Sequence, residues 1–192
     1  MAVALDARLT PRLSIVAPCY NEEIGLEEFH RRMASAAHDT VGSDYEFVLL
    51  NDGSSDRTWA IMADLVRRDP RVVAVNLSRR HGHQLAITAG LYTCRGDRIL
   101  TIDADLQDPP ELLSEMWRLM DSAEADVVYG LRRAGTANGS AQVVRRQNDG
   151  YLMAYRPLTW RIGSCSVEVI EPAGAGAGPG HADKAGADEW TC

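Results

Sequence analysis

Five short apolar runs alternate with stretches of helical periodicity over the first two thirds of the chain. They are Leu13–Ala17 ("LSIVA"), Tyr45–Leu50 ("YEFVLL"), Val72–Leu77 ("VVAVNL"), Arg98–Ile102 ("RILTI") and Asp126–Gly130 ("DVVYG"). Each is short, apolar and bounded by turn residues, as buried strands are. Between the first two, Leu26, Phe29, Met33 and Ala36 or Ala37 fall on one face of a predicted helix. Trp59, Met62, Leu65 and Val66 share a face of a second, which Asp56 would cap and which ends before Pro70. "HQLAITAGLYTC" reads as a short third helix. Pro110 suits the first turn of a fourth, carrying Leu112, Leu113, Met116, Leu119 and Met120. Strands separated by helical stretches of about 10–15 residues need crossovers rather than hairpins. The pattern therefore predicts an α/β fold with a mostly parallel sheet flanked by helices.

A chain of 192 residues, 45% hydrophobic and 24% charged, has room for one domain with a real core. Its net charge of -7 argues against a nucleic-acid-binding surface, so an anionic ligand needs a local device such as a metal or an arginine cluster. Cys19, Cys94, Cys165 and Cys192 lie far apart, without CxxC or zinc spacing, and read as thiols of a reducing compartment. The N-terminus lacks a signal-peptide pattern, and no window approaches the roughly 18 apolar residues of a membrane span. The expectation is a cytoplasmic chain, peripheral at most to the membrane face.

Three polar clusters each follow a strand: "PCYNEE", "NDGSSD" and "DADLQDPP". Right-handed crossovers put the C-terminal ends of parallel strands on one edge of the sheet. Tyr20, Asn21, Glu22, Asp52, Asp103 and Asp105 are thereby expected to converge there. Asp103 and Asp105 lie at i and i+2, so in an extended segment both carboxylates reach one cation, with Gln107 adding a neutral oxygen. Hard oxygen donors favour Mg²⁺ or Mn²⁺. A solvated turn capping the next helix explains a lone carboxylate pair as well, although Asp108 alone suffices for that. Asp52 also has a plain reading, as an Asp-Gly turn. "NLSRRHGHQLA" brings Arg79, Arg80, His81 and His83 to a strand-to-helix junction, either as a solvated basic loop or as phosphate contacts.

"SIVAPCYNEE", "VLLNDGSSDRT", "NLSRRHGHQLAITAGL" and "GDRILTIDADLQDPPELL" occur in that order. Together they closely resemble the family 2 glycosyltransferases of the GT-A (Rossmann-like) fold, and within them the polyprenyl-phosphate sugar synthases. The resemblance covers about residues 13–133. It implies that Pro18, Tyr20 and Glu22 hold the base and ribose of a nucleotide-sugar, and that Asp52 contacts the base. It implies that Asp103 and Asp105 hold a divalent metal on the donor diphosphate, with Gln107 at a further metal-contact position. Arg79 lies in a segment that usually reads S-R-N-x-G, whose middle here is changed by Arg80 and His81. The implied reaction is metal-dependent, inverting transfer from a UDP- or GDP-sugar to a polyprenyl phosphate, in the biosynthesis of cell-envelope glycans.

After about Arg133 the pattern changes. Members of that family continue with a segment near D-T-G-D-F-R-L and with membrane-associated helices, neither of which this sequence contains. Residues 134–192 are punctuated and end in the Gly/Ala-rich "EPAGAGAGPGHADKAGADEWTC". The expected organisation is a nucleotide-sugar-binding domain over 8–133 and a divergent, irregular tail over 134–192, with the acceptor half missing. An inactive nucleotide-sugar-binding fragment is the alternative function. Unpaired sheet edges would then favour a homo-oligomer or a covering partner. A different Mg²⁺-dependent phosphotransfer enzyme on a doubly wound sheet is a third reading, which leaves "YNEE" and "LQDPP" unexplained together.

Overall fold

The computed structural model describes residues 10–122, 126–131, 140–141, 153–155 and 167–170. Strand β1 (Leu13–Cys19) leads through α1 (Leu26–Val41) to β2 (Tyr45–Asn51), and α2 (Thr58–Arg68) leads on to β3 (Val72–Leu77). Helix α3 (His83–Thr93) precedes β4 (Arg98–Thr101). A 3-10 turn, Pro110–Leu112, opens onto α4 (Leu113–Ser122). Short strands follow: β5 (Val127–Val128), β6 (Gly130–Leu131), β7 (Ser140–Ala141), β8 (Met153–Tyr155) and β9 (Val167–Ile170).

The main sheet runs β5-β8-β4-β1-β2-β3-β9. Its centre, β4-β1-β2-β3, is parallel throughout, with Leu13 beside both Tyr45 and Arg98. All seven residues of β1 and all seven of β2 are buried, as strands covered on both faces must be. Alternate side chains go to opposite faces. Ile15, Phe47, Leu49 and Ala74 meet Phe29 and Met33 of α1, Met62 of α2 and Met116 of α4. Val16, Val48, Leu50 and Val75 meet the thinner layer made by α3 through Ala86. Gly90 allows that layer to lie close: a Cβ there would collide with Val16 Cγ1 and come within 2.9 Å of Leu50 Cδ2.

Several expectations change in detail. The β1 ladder runs through Pro18 to pair Cys19 with Asn51, so Pro18 does not close the strand. β4 stops at Thr101, although the Ile102 N–H still donates to the Val16 carbonyl at 3.1 Å. The single fifth strand becomes two, β5 and β6, in different sheets. β5 does not pair with β4, because β8 lies between them and runs antiparallel to both. β9 pairs antiparallel with β3. Segments beyond residue 133 thus join the sheet, and the β3 and β4 edges expected to stand open are paired.

A buried polar cluster with no signal in the hydrophobic pattern lies where β1 and β2 begin. Glu46 is 3% exposed and its Oε1 accepts from Ser14 Oγ at 2.6 Å and from the Arg95 N–H at 2.6 Å. Its Oε2 accepts from Arg95 Nε and Nη2 at 3.0 and 2.8 Å, while Ser14 Oγ accepts from the Gly96 N–H. These bonds pin the α3–β4 connection beneath the sheet, leaving the opposite edge for function.

Candidate functional site

In an open parallel sheet, ligands bind beyond the carboxyl ends of the strands where the strand order reverses. Here that point lies between β1 and β4, since the chain builds β2 and β3 on one side of β1 and β4 on the other. A cleft of about 180 Å³ opens there. Pro18, Cys19, Tyr20 and Glu22 after β1 line it, with Asp103, Ala104 and Asp105 after β4, Asp52 after β2, and Arg80 and His83 before and at the start of α3. It is smaller than the roughly 300–1,000 Å³ of typical ligand pockets and is open to solvent.

The loops after β1 and β2 are sewn together. Asn21 adopts φ 58°, which asparagine tolerates better than most residues. Its N–H donates to Ser54 Oγ, and its Oδ1 accepts from the Ser55 N–H. The Glu22 N–H donates to Thr58 Oγ1 and the Glu23 N–H to Asp56 Oδ2, while Glu23 Oε2 accepts from the Arg57 N–H. Asp56 sits one residue before the Arg57 N-cap of α2 and accepts the Thr58 N–H at 2.9 Å. Motifs that read as separate turns, "YNEE" and "NDGSSD", are two halves of one interlocked structure. Long-range pairing of this kind has no local signature.

One side of the cleft is acidic. The Glu22 carboxyl is pushed above the usual glutamate range by burial, and Asp105, Asp56 and Asp103 add to the effect by repulsion. Burial, with Glu22 and Asp103 nearby, likewise pushes the Cys19 thiol far up, so it is no nucleophile. The other side is basic. The Arg80 guanidinium stacks on the Tyr20 ring, 4.1 Å from its centroid. His83 Nδ1 stands 3.7 Å from Asp103 Oδ1.

Tyr20, Glu22, Asp52, Asp103 and Asp105 line one cleft as expected of one sheet edge, with Pro18 beside them. Asn21 instead falls outside the lining and ties the two loops, and three other assignments shift. Arg79 is exposed and outside the cleft lining, and Arg80 takes that place. Gln107 also falls outside the lining, and its N–H donates to Asp105 Oδ1 at 2.9 Å. Asp108 is buried, and the 3-10 turn starts after Pro109 without a side-chain cap. The cause is backbone shape: residues 104–108 turn rather than extend, and Leu106 takes φ 60°. Residues 104–108 are therefore not the extended segment for which that spacing was read. Among the described residues no three His, Cys, Asp or Glu side chains form a metal-holding group. Mg²⁺ and Mn²⁺ are commonly held by one or two carboxylates plus substrate phosphates and waters. Two cleft-lining carboxylates crowded enough to perturb Glu22 fit that need.

The solved structures similar to this chain share its fold. The mannosyltransferase PcManGT of Pyrobaculum calidifontis, in complex with GDP-Man and Mn²⁺, superposes with a TM-score of 0.53 at 21% identity, over 65% of this chain and 36% of that one. TarS of S. aureus in complex with UDP-GlcNAc gives 0.50 at 24% identity, over 60% and 33%. Both show the GT-A architecture. The undecaprenyl-phosphate 4-deoxy-4-formamido-L-arabinose transferase of Edwardsiella ictaluri is 44% identical over 131 residues, which is 67% of this chain and 39% of the relative. The chain spans just over a third of the length of such curated relatives. The Glycosyl transferase family 2 model matches residues 14–175, from β1 to just past β9, and by that match the chain belongs to glycosyltransferase family 2.

Proposed function

We propose that this chain binds the donor for a metal-dependent, inverting glycosyltransferase that moves a sugar from a UDP- or GDP-sugar to a polyprenyl phosphate. The observation that carries the reading is the cleft at the sheet's switch point. Pro18, Tyr20 and Glu22 line it together with Asp103, Asp105, Arg80 and His83. The name of the Edwardsiella relative supports a polyprenyl-phosphate acceptor, and the ligands of the structural neighbours support a nucleotide-sugar donor. We assign donor binding to residues 8–133, which supply the cleft-lining side chains among the described residues.

In this mechanism Tyr20 and Pro18 hold the base, and Glu22 the ribose. Arg80 and His83 take charge of the diphosphate. Asp103 and Asp105 would hold a divalent metal, which when bound neutralises charge on the departing nucleoside diphosphate. An acceptor phosphate oxygen forms the new bond to the anomeric carbon as the bond to the diphosphate oxygen breaks on the opposite face. Both the attacking and the departing groups are anions, so no proton has to move. Among the described residues no helix is long and apolar enough to cross a membrane, and we place the encounter with the lipid phosphate at the cytoplasmic membrane face.

Calorimetric titration of UDP and GDP with and without Mn²⁺, followed by transfer to a short polyprenyl phosphate, tests the proposal. Metal-dependent binding with turnover is expected. Binding without turnover would instead support the second reading, a nucleotide-sugar-binding chain without transfer activity. Metal-independent binding would remove the role given to Asp103 and Asp105.

A further inference from the structure

Asp52 is only 4% exposed, and both of its carboxylate oxygens are engaged by one loop. Oδ1 accepts from the His81 N–H at 2.6 Å, and Oδ2 from the Gly82 N–H at 2.9 Å. The next residue, Gly53, adopts φ 68° and lies against the same loop. A Cβ on Gly53 would collide with the Arg80 backbone nitrogen and come within 2.7 Å of the Arg79 carbonyl carbon. Gly82 itself takes φ 93°, a conformation that suits glycine. Two consecutive residues of the turn after β2 therefore shape the loop before α3, one by accepting its N–H groups and the other by lacking a side chain. Held in this way, the loop delivers Arg80 onto Tyr20 and His83 beside Asp103.

We infer that Asp52 is a positioning residue for the loop from Arg79 to His83, fixing the arrangement in which Arg80 and His83 meet the donor's diphosphate. The inference rests on the donor-binding reading above and gives Asp52 a task other than contact with the base. A carboxylate offers about four lone-pair directions, so geometry allows a base contact as well. The two roles separate with a ligand that has no base. Inorganic pyrophosphate with Mg²⁺ is that probe.

The experiment titrates the full chain with pyrophosphate and with UDP and GDP. Asp52→Asn turns an N–H toward a backbone N–H and should weaken both pyrophosphate and the preferred nucleotide by about tenfold. Gly53→Ala, which keeps the carboxylate, should give the same parallel loss. In the Asp52→Asn background, Arg80→Ala should cost less than about twofold more, since the arginine is already displaced. A general weakening of the fold would leave Arg80→Ala its full effect in that background, and that result overturns the inference. So does an Asp52→Asn variant that loses nucleotide but binds pyrophosphate normally, an outcome that leaves the donor-binding reading standing. If the unsubstituted chain binds none of the three ligands, both fall.

Discussion

Single residues in the cleft carry opposite demands of stability and function. The elevated Glu22 carboxyl marks a place where ionisation is costly in the folded chain. A carboxyl raised above its unfolded value binds more protons when folded, so its contribution to stability is lost as pH rises through the folded value. Glu22→Gln should therefore raise the melting temperature of the ligand-free chain at pH 7. The gain should vanish below about pH 4.5, where the unfolded glutamate is also protonated, as thermal melts across pH would show. The same variant should bind nucleotide less well. Asp103→Asn and Asp105→Asn remove charge from the proposed metal site, and each should weaken Mn²⁺-dependent UDP or GDP binding by at least tenfold, measured by calorimetry. Away from the cleft, Glu46→Leu would remove the acceptor of the Ser14 O–H and the Arg95 N–H. It should destabilise the fold by about 1–3 kcal/mol in denaturant titrations, with nucleotide affinity unchanged for the folded fraction. Asp103 and Asp105 stood out in the sequence because two carboxylates at a strand end are anomalous. Glu46 did not, because one charge within a β-strand pattern is ordinary and its partners lie 32 and 49 positions away.

At the scale of elements, the thin α3 layer depends on close approach to the sheet. Gly90→Ala gains helix propensity but forces a methyl against Val16 and Leu50. Overpacking should win, lowering stability by about 1–2 kcal/mol in chemical denaturation. Helix boundaries were legible where the apolar spacing was regular. The buried faces of α1, α2 and α4 hold Phe29, Met33, Met62, Leu65, Met116 and Met120, all on the predicted stripes. Loop conformation was not legible in the same way. The left-handed backbone at Asn21 and Leu106, and the turn over residues 104–108, arise from contacts and chain reversals that residue spacing does not encode.

For the molecule as a whole, a half-buried histidine sets one pH limit. His30 on α1 lies against Phe47, with ring centroids 4.8 Å apart, and its Nε2 is 3.3 Å from Asp69 Oδ2. Burial holds its pKa below 6.5, and the attraction of Asp69 offsets this only in part. Between the lowered folded value and 6.5 the unfolded chain binds more protons, so stability falls as pH drops through that window. Measured from pH 7.5 to 5, the stability of the unsubstituted chain relative to His30→Phe should decline below about 6.5. Asp69, which is held below its usual range, adds its own loss only under more acidic conditions, below about pH 3.8. By itself the sequence determined the order of strands and helices, the parallel core and the set of polar clusters at one sheet edge. Periodicity and crossover length are local properties, and they are enough for that much. Only the tertiary structure decided that β8 and β9 complete the sheet, that Arg80 rather than Arg79 faces the cleft, and that Asp52 grips the loop before α3. Each of these rests on groups that meet only after the chain has folded back on itself, where hydrogen-bond geometry and steric clearance select one arrangement from many that the sequence pattern allows.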